Sequence, residues 1–438
     1  MKLLISAYAC GPNVGSEHSV GWNWATEAHR QGHQVWVLAA SVHRAAIEKA
    51  CHDDPSLAGI HWTFPEIGWW RLQPKVEPVW ERTYNLLWQR AAVRHAARLQ
   101  SQVGFDAVHH LTWGGIRAPT FLGSLGVPLI IGPIGGGETC PAPLRDGFGL
   151  RSKITEWVRS ASNATITLNP VVRGGLTKAA AIFVKTPDTR RLLTGAMQRK
   201  AVTFFELGLH ATQIGTPRAL RRSPPRLLFA GRLLYWKGAH IALRAFAALR
   251  QSVPDAQLTI VGKGPERDRL KADAQALRLG DSVTFVPWLP QQELFGLYAS
   301  HDLFVFPSLH DSSGTVVVEA LSRGMPVICL DLGGPGQIVA AGSGIAVATA
   351  GRDTDAVAAA MASEMAQLFA APERLVALSE GAIARARDFL LSDRVAQFYG
   401  MVEQQVRRVP RAEPQRPDRQ ADLGATLRPP PASLPEAG

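Results

Sequence analysis

The sequence predicts two consecutive α/β domains, each built around a parallel β-sheet. Short apolar runs alternate with longer segments of helical periodicity through most of the chain, and this alternation is typical of β-α-β units. The 438 residues suit two or three domains at about 100–200 residues each. A stretch rich in proline, arginine and threonine interrupts the alternation at 210–226, where we expect an interdomain linker.

The first domain is expected to span residues 1–209. Seven apolar runs in it predict β-strands, at Lys2–Ala7, Gln34–Ala39, Ile60–Phe64, Ala107–His110, Pro128–Gly132, Ala181–Val184 and Thr203–Leu207. Helical periodicity predicts helices at Ser19–Gln31, Val79–Gln102 and Thr120–Leu125, with more helix between Arg151 and Leu193.

The second domain is expected to span residues 227–385 and to repeat this architecture. Its strands are predicted at Leu227–Ala230, Gln257–Val261, Val283–Val286, Leu303–Phe306, Val327–Leu330 and Ile345–Val347. Its helices are predicted at Ala239–Gln251, Pro265–Leu279, Gln291–Tyr298, Thr315–Arg323 and Asp355–Leu368, with further helix from Pro372 to Val406. Residues 407–438 are rich in proline and arginine and poor in apolar side chains, so we expect a disordered tail.

Charge and cysteine content narrow the choice of partners and location. The 47 Lys and Arg residues exceed the 36 Asp and Glu residues, and the formal net charge of +11 favours anionic partners such as nucleotide phosphates or an acidic membrane surface. A basic surface without any partner is equally compatible with this charge. The four cysteines are widely spaced and form no Cys-x-x-Cys pair, which argues against a disulfide framework or a zinc site and favours a reducing cytoplasm.

The hydropathy pattern does not predict a membrane span. No apolar run reaches the ~20 residues that cross a bilayer, and the first apolar run is too short for the core of a signal peptide. We therefore expect a cytoplasmic protein, soluble or peripheral to the inner face of the cytoplasmic membrane. The segment Trp69–Trp88 mixes tryptophan with Arg and Lys and could contact an anionic membrane, although such a helix is more often domain core. Nucleic-acid binding is not expected, because the basic residues are scattered rather than clustered in a stripe.

Polar residues concentrate after the strand predicted at Leu303–Phe306. The loop residues Asp311, Ser312, Ser313 and Gly314 precede a helix that opens at Thr315, and free N–H groups at a helix N-terminus bind a diphosphate well. Glu319 lies one turn into that helix, where its carboxylate can accept hydrogen bonds from ribose hydroxyls. Asp311 lies at the loop mouth, where a sugar on the diphosphate would be. The alternative interpretation makes Asp311 or Ser312 an ordinary N-cap and Glu319 an exposed helical acid.

A second group of candidate residues follows the strand predicted at Leu227–Ala230. Gly231, Arg232 and Lys237 lie in the turn between this strand and the next helix. Ligands of open α/β sheets bind outside the carboxyl ends of the strands, and two cations there can neutralise a leaving diphosphate without a metal ion. The alternative is a pair of surface cations in a basic protein. Gly262 belongs to a third strand–loop segment, Val261–Glu266, which is a weak signal by itself.

Together these residues resemble the retaining glycosyltransferases of group 1 (family 4), which include bacterial mannosyl-, glucosyl- and exopolysaccharide transferases and have the GT-B fold. The resemblance covers roughly residues 1–405 and is most specific from Phe229 to Gly336. The family pattern Gly-Arg…Lys-Gly, its pair of acids separated by seven residues, and its Gly turn are matched by Gly231, Arg232, Lys237, Gly238, Asp311, Glu319 and Val261–Glu266.

The resemblance implies a role for each of these residues. Arg232 and Lys237 would bind the phosphates of a nucleoside-diphosphate sugar, Glu319 the ribose, and Asp311 the transferred sugar. It also implies two Rossmann-like domains that face each other across a cleft, with a last helix at 386–406 that crosses back to the first domain.

Two departures from the family pattern change what we expect. Asp311 stands in place of the usual Glu, and Ser313 in place of the usual aromatic residue, which predicts altered sugar choice rather than loss of activity. The histidine that the family often carries after the strand predicted at Pro128–Gly132 is absent, and Glu138 follows a glycine run there instead. Glu138 and the strand-end His110 are candidates for acceptor contact, although a strand-end histidine has a structural role at least as often.

The first strand is followed by a family-like glycine loop. Gly11 and Gly15 would let this loop approach a ligand in the cleft, and Glu17 lies near the start of the next helix. For Glu17 a role in the cleft and simple compensation of the helix dipole are equally good interpretations.

The predicted reaction transfers a hexose from a nucleoside-diphosphate sugar to a hydroxyl of a glycan or lipid-linked acceptor, with retention. The donor is a co-substrate, and neither another cofactor nor a metal is expected. Two alternatives stay open: a sugar-nucleotide epimerase on the same fold, and a non-catalytic subunit that binds a sugar nucleotide.

Overall fold

The chain folds into two domains whose parallel sheets meet at the carboxyl ends of their strands. The computed structural model describes residues 1–12, 14, 15, 17–67, 78–218 and 224–408, with the side chains of 78–82 and 408 excepted. The part of the chain described forms one seven-stranded and one six-stranded sheet, both parallel throughout. This agrees with the two α/β domains predicted from the sequence.

The N-terminal sheet has the strand order β3-β2-β1-β4-β5-β6-β7. Its strands are β1 (Lys2–Ser6), β2 (Gln34–Leu38), β3 (His61–Thr63), β4 (Ala107–His110), β5 (Leu129–Ile134), β6 (Ala179–Val184) and β7 (Ala201–Thr203). Helices cover both faces: α1 (Glu17–Arg30), α2 (Arg44–Asp53), α3 (Pro78–Val103), α4 (Leu150–Ala164), α5 (Pro170–Lys178), α6 (Pro187–Arg191) and α7 (Gly195–Arg199). The strand order reverses between β1 and β4, and such a switch point opens a crevice for a ligand.

The C-terminal sheet has the order β10-β9-β8-β11-β12-β13 and the same kind of switch point, between β8 and β11. Its strands are β8 (Arg226–Ala230), β9 (Gln257–Val261), β10 (Val283–Val286), β11 (Leu303–Phe306), β12 (Val327–Leu330) and β13 (Gly344–Val347). Its helices are α8 (Ala239–Leu249), α9 (Arg267–Ala276), α10 (Gln291–Ser300), α11 (Thr315–Ser322), α12 (Gly333–Ile338), α13 (Thr354–Ala370) and α14 (Pro372–Arg387).

The last helix, α15 (Leu391–Arg408), packs on the N-terminal domain. Its apolar residues Val395, Phe398 and Val402 recur at helical spacing and are fully buried with α1 and the N-terminal sheet. The Phe398 ring lies 4.9 Å from that of Trp24 in α1, measured between centroids. The chain therefore crosses between the domains twice, once before β8 and once before α15.

Two predicted elements differ from the structure, and two helices were not predicted. The helix predicted at Thr120–Leu125 is wrong, since only a single 3-10 turn forms there, at Leu122–Ser124. The strand predicted at Thr203–Leu207 is also wrong: β7 spans Ala201–Thr203, and the following residues leave the edge of the sheet. Helices α2 and α12 have no counterpart among the predicted elements, and α12 contains three glycines and a proline, which are poor helix formers.

Several predictions fall on residues outside the described ranges. Most of the predicted tail at 407–438 and the first part of the Trp69–Trp88 segment are of this kind, as is 219–223 of the predicted linker. Trp88 itself is fully buried in the N-terminal core. This agrees with the core interpretation for that end of the segment.

Candidate active site

The loop between β11 and α11, called here the donor loop (residues 307–314), lies at the carboxyl edge of the C-terminal sheet. Gly314 occupies the N-cap position of α11 and no side chain caps this helix, so the alternative in which Asp311 or Ser312 is the N-cap is wrong. Within the described chain the amides of Gly314 and Thr315 have no hydrogen-bond acceptor. They are available to an anion at the positive end of the helix.

Helix α12 packs against the donor loop. The amide of Gly334 donates to the carbonyl oxygen of Asp311 at 2.7 Å. A Cβ atom on Gly334 would lie 2.6 Å from the carbonyl oxygen of Ser312, so the close contact requires glycine. The carbonyl oxygens of Asp311, Ser312 and Ser313 therefore face α12.

Lys237 and Asp311 form an ion pair at the mouth of the donor loop. The Lys237 Nζ donates a short hydrogen bond to Asp311 Oδ2, and both side chains are largely buried. Burial by itself would raise the pKa of Asp311, but the Lys237 ammonium outweighs it and holds this pKa below its ordinary value. Gly238 permits this arrangement, because a Cβ there would lie 1.9 Å from the carbonyl oxygen of Pro307.

The remaining residues predicted after β8 and β9 flank this ion pair. Gly231 and Gly262 continue the ladder beyond their strands: the Gly231 amide donates to Val261 O and the Gly262 amide to Val286 O, both at 3.0 Å. Arg232 is exposed at the end of β8 and forms no ion pair within the described ranges. Its guanidinium is therefore free to bind an anion.

Glu319 is buried, which rules out the alternative of an exposed helical acid. Its Oε1 accepts a hydrogen bond from Gln291 Nε2 at 2.6 Å, and its Oε2 one from the Tyr298 hydroxyl at 3.4 Å. Burial raises the pKa of Glu319 above its ordinary value even though both hydrogen bonds act to lower it. No described contact joins Glu319 to Lys237 or Asp311.

Across the cleft, Glu138 contacts the donor loop. Its Oε2 accepts hydrogen bonds from the Ser312 hydroxyl and from the Gly136 amide at 3.0 Å. Its Oε1 accepts from the hydroxyls of Thr186 and Thr189. With four donors around a carboxylate that is 1% exposed, Glu138 links the two domains, and no oxygen of it is left for an acceptor in this arrangement.

Ser313 makes a second link across the cleft, to residues that the sequence analysis did not single out. Its hydroxyl donates to Glu206 Oε1 at 2.7 Å and accepts from Lys185 Nζ at 3.2 Å. Lys185 directly follows β6, so its position at the carboxyl end of a strand was a usable signal. Glu206 had no such signal, because the predicted strand Thr203–Leu207 placed it inside the sheet.

The residues predicted after β1 and β4 line the other part of the N-terminal edge. Glu17 Oε1 accepts from the Gly114 amide at 2.6 Å and so anchors the loop after β4. The Gly11 amide donates to the carbonyl of His18 at 3.1 Å, whereas Gly15 is exposed. His110 is 1% exposed, burial lowers its pKa to about 4, and neither ring nitrogen has a hydrogen-bond partner in the described chain.

His109, the neighbour of His110 on β4, has a structural position. Its Nε2 lies 2.6 Å from the carbonyl oxygen of Gly132, to which it donates, and its Nδ1 accepts from the Tyr399 hydroxyl at 3.0 Å. It thereby ties α15 to the N-terminal sheet. Among the described residues no three His, Cys, Asp or Glu side chains are grouped so that they could hold a metal ion. None of the described helices combines the length and apolar character of a membrane span.

Comparison with known proteins identifies the C-terminal domain. Residues 216–382 match the profile of the family Glycosyl transferases group 1. The C-terminal domain thus matches this family, which confirms the resemblance predicted from the motifs. The matched residues include the donor loop, Arg232, Lys237 and Glu319.

Curated relatives match less than half of the chain. A glycogen synthase of Mycobacterium tuberculosis is 36% identical over 176 residues, which cover 40% of this chain and 42% of the relative. A D-inositol 3-phosphate glycosyltransferase of Segniliparus rotundus is 33% identical over 166 residues, covering 37% and 36%. The chain thus spans about two-fifths of the length of the curated relatives it matches.

Solved structures match over both domains and confirm the predicted GT-B fold. Sucrose-phosphate synthase of Thermosynechococcus elongatus superposes with a TM-score of 0.63 and 18% identity, covering 93% of this chain and all of that one (100%). Anabaena Alr3699/HepE in complex with UDP and glucose superposes with a TM-score of 0.55 and 15% identity, covering 92% and 100%. At these identities the likeness concerns the fold alone.

Proposed function

We propose that this protein is a glycosyltransferase that moves a hexose from a nucleoside-diphosphate sugar to an acceptor hydroxyl, with retention at the anomeric carbon. The observation that carries the proposal is the donor loop, whose free amides at the N-terminus of α11 lie beside the Lys237–Asp311 pair. A diphosphate fits such a site because amide dipoles and cations stabilise its negative charge in a partly buried space.

The leaving group would be stabilised by residues of the C-terminal domain alone. The amides around Ser313–Thr315 would bind the diphosphate, and the free guanidinium of Arg232 and the ammonium of Lys237 would neutralise the charge that develops on it. The acceptor oxygen forms a bond to the anomeric carbon as the bond from that carbon to the phosphate oxygen breaks. The hydroxyl proton passes to the departing diphosphate, which is then a stable product.

Donor binding would change the partners of Lys237 and Glu319. Lys237 bonds Asp311 in the structure, and a phosphate would compete for its ammonium. Asp311 would then accept a hydrogen bond from a sugar hydroxyl instead. In the same way a ribose hydroxyl would replace the Gln291 amide, which now occupies Oε1 of Glu319.

The proposed ligand class and pathway are supported by proteins of similar fold. Anabaena Alr3699/HepE binds UDP and glucose, which supports a nucleoside diphosphate as the ligand here. WaaG, a glycosyltransferase involved in lipopolysaccharide biosynthesis, superposes with a TM-score of 0.57 and 15% identity, covering 91% of this chain and 99% of its own. We infer a role in bacterial exopolysaccharide, lipopolysaccharide or glycolipid synthesis, with a glycan or lipid-linked acceptor, in the cytoplasm at the inner face of the membrane.

One alternative is favoured by a specific observation. The hydroxyls of Ser312 and Ser313 are both bonded across the cleft by buried carboxylates, and a protein that stayed in this arrangement would bind a sugar nucleotide without turnover. Free nucleoside diphosphate separates the cases. A transferase releases it when an acceptor is added, whereas an epimerase converts one sugar nucleotide to another and a binding subunit does neither.

The first test is thermal stability of the full chain with UDP, GDP and ADP and with their common sugars. A ligand at about 100 times its dissociation constant stabilises the folded state by about 2.7 kcal/mol, which shifts the midpoint by several degrees. We expect one nucleotide to raise the unfolding midpoint of the wild type and to leave the midpoints of Glu319→Ala and Lys237→Ala unchanged. The proposal fails if no nucleotide raises the midpoint of the wild type, or if the midpoints of both variants rise as that of the wild type does.

A further inference from the structure

Lys185, Glu206 and Ser313 form a closed set of hydrogen bonds where the N-terminal domain meets the donor loop. Lys185 Nζ donates to Glu206 Oε1 at 2.6 Å and to the Ser313 hydroxyl, and that hydroxyl donates to the same Glu206 oxygen. The side chains of Lys185 and Glu206 are 12% and 7% exposed. Two charged groups of the N-terminal domain are therefore fixed in direct contact with a loop of the C-terminal domain.

The second carboxylate oxygen of Glu206 has no partner. Oε1 accepts two hydrogen bonds, but Oε2 is buried and accepts none from any described residue. A buried carboxylate oxygen without a donor is unfavourable, so it is retained at a cost to stability. The nearby Arg394 does not satisfy it, because one of its Nη atoms donates to the Phe205 carbonyl and its guanidinium lies over the Phe204 ring.

The charges around Lys185 indicate what kind of group Glu206 would bind. Three carboxylates, Glu206, Glu17 and Glu138, act on this lysine, and together they raise its pKa above the ordinary value even though burial opposes this. Neighbouring guanidinium groups offset part of this negative charge. The unpartnered carboxylate oxygen itself can only accept hydrogen bonds, so it suits groups that donate them, such as sugar hydroxyls.

We propose that Glu206 is a specificity-determining residue of the donor site, whose Oε2 accepts a hydrogen bond from a hydroxyl of the transferred sugar while Lys185 positions it. The inference rests on the proposed function and adds the chemical class of the donor. The diphosphate binds the amides and cations of the C-terminal domain, and the sugar turns toward the carboxylates of the N-terminal domain. The transferred sugar consequently carries a free hydroxyl at the position that faces Glu206, and a carboxylate at that position of the sugar is disfavoured by like-charge repulsion.

The test compares each nucleoside diphosphate with its sugar conjugates by titration calorimetry on the full chain. UDP is compared with UDP-glucose and UDP-glucuronate, GDP with GDP-mannose, and ADP with ADP-glucose. A hydrogen bond to a charged group corresponds to about a 10- to 100-fold change in affinity. We expect Glu206→Gln to leave the affinity for the nucleoside diphosphate within about twofold, to weaken the neutral sugar conjugate by about tenfold or more, and to reduce the discrimination against glucuronate.

Glu48→Gln is the matched control, because it removes one carboxylate from an exposed helical position of the same domain. If Glu206 only joins the two domains, Glu206→Gln weakens the nucleoside diphosphate and its sugar conjugate equally, and the inference is overturned. Should Glu206→Gln not fold, the wild type is titrated with singly deoxygenated sugar conjugates. If no single deoxygenation then weakens the affinity by about tenfold, the inference is overturned as well. Absence of any nucleotide binding to the wild type would instead refute the proposed function.

Discussion

The two sides of the cleft are built from different kinds of chemical group. The C-terminal side presents backbone amides, glycines and the cations Arg232 and Lys237 around the donor loop. The N-terminal side presents the buried carboxylates of Glu138 and Glu206, with Lys185 between the latter and the donor loop. The geometry of the C-terminal side depends on close contacts between backbone segments. The geometry of the N-terminal side depends on the ionisation of buried side chains.

This difference separates two ways of perturbing the protein. Backbone geometry is sensitive to the addition of one Cβ atom and indifferent to pH, because amides do not titrate. Buried ionisable groups respond in the opposite manner, since their charge states depend on pH while many of their neighbours are apolar. Each prediction below changes a residue or a group of residues on one side and compares it with a matched position elsewhere in the chain.

The largest expected effect is that of Gly238→Ala on the C-terminal side. Gly238 and Gly351 both have φ of +73°, but a Cβ at Gly238 would lie 1.9 Å from Pro307 O, whereas at Gly351 no atom lies within 4 Å. The strained φ should cost about 1 kcal/mol in both variants. Displacement of the Pro307 backbone should bring the loss in unfolding free energy for Gly238→Ala to about 3 kcal/mol or more.

Thermal unfolding of the two alanine variants measures the difference. Since the φ angles are equal, the excess loss at Gly238 isolates the close approach of the turn to the donor loop. Equal losses would mean that the Pro307 loop adjusts without strain, and that the geometry of this side of the cleft is less constrained than the contact implies.

The next effect concerns pH and the N-terminal domain. Burial lowers the pKa values of His109 and His110 to about 3 and about 4, whereas an unfolded histidine takes up a proton near pH 6.5. Below pH 6.5 the unfolded state therefore binds more protons than the folded state. The contribution of each neutral histidine to the free energy of unfolding is fully present above pH 6.5 and is lost as the pH falls toward 4. At pH 5 each neutral histidine should lower the free energy of unfolding by about 2 kcal/mol.

The C-terminal domain provides the comparison. In its buried His240 the pKa is lowered to about 3 by burial and by the charges of Arg269 and Arg244. Denaturant unfolding at pH 7, 6 and 5 should therefore show a larger loss for the N-terminal domain, and no loss between pH 8 and pH 7. An equal response of both domains would assign the acid sensitivity to other groups.

The two sides of the cleft were also unequally predictable from the sequence. The strands β8 to β13 were predicted within a residue or so at each end, and the donor loop with Asp311 and Glu319 followed from a local strand–loop–helix pattern. Such a pattern works because glycine, helix start and strand end each leave a signal in adjacent residues. The roles given to these residues remain predictions until a ligand is bound.

The N-terminal side depends on contacts between distant segments, and these leave no local signal. Glu138 is bonded by Thr186 and Thr189 at the start of α6 and by Ser312 of the donor loop, and nothing near Glu138 in the sequence indicates them. Glu206 was hidden in the run Phe204–Leu207, in which every residue except the half-buried Phe205 is buried although the backbone has left the sheet. An apolar run reports burial, and a strand is only one way of being buried.

The smallest expected effect concerns His110, and it separates stability from function. Its two ring nitrogens are buried without a hydrogen-bond partner in the described chain, and such unpaired polar groups cost about 1–3 kcal/mol. His110→Leu should therefore raise the free energy of unfolding at pH 7 by about 1 kcal/mol after the change in packing is included. If His110 contacts the acceptor, the same variant should release less nucleoside diphosphate in the presence of acceptor, while the slow hydrolysis of the donor in water is unchanged.

His109→Leu serves as the comparison, because it breaks the hydrogen bonds to Gly132 and Tyr399 and should lower the stability. A gain in stability together with a loss of acceptor-dependent turnover at His110 would identify a polar group that the fold retains for its ligand at a cost to stability. A gain in stability with unchanged turnover would remove His110 from the acceptor site. A loss of stability in both variants would show that His110, like His109, has a structural role, and the search for the acceptor site would move to the loop after β4.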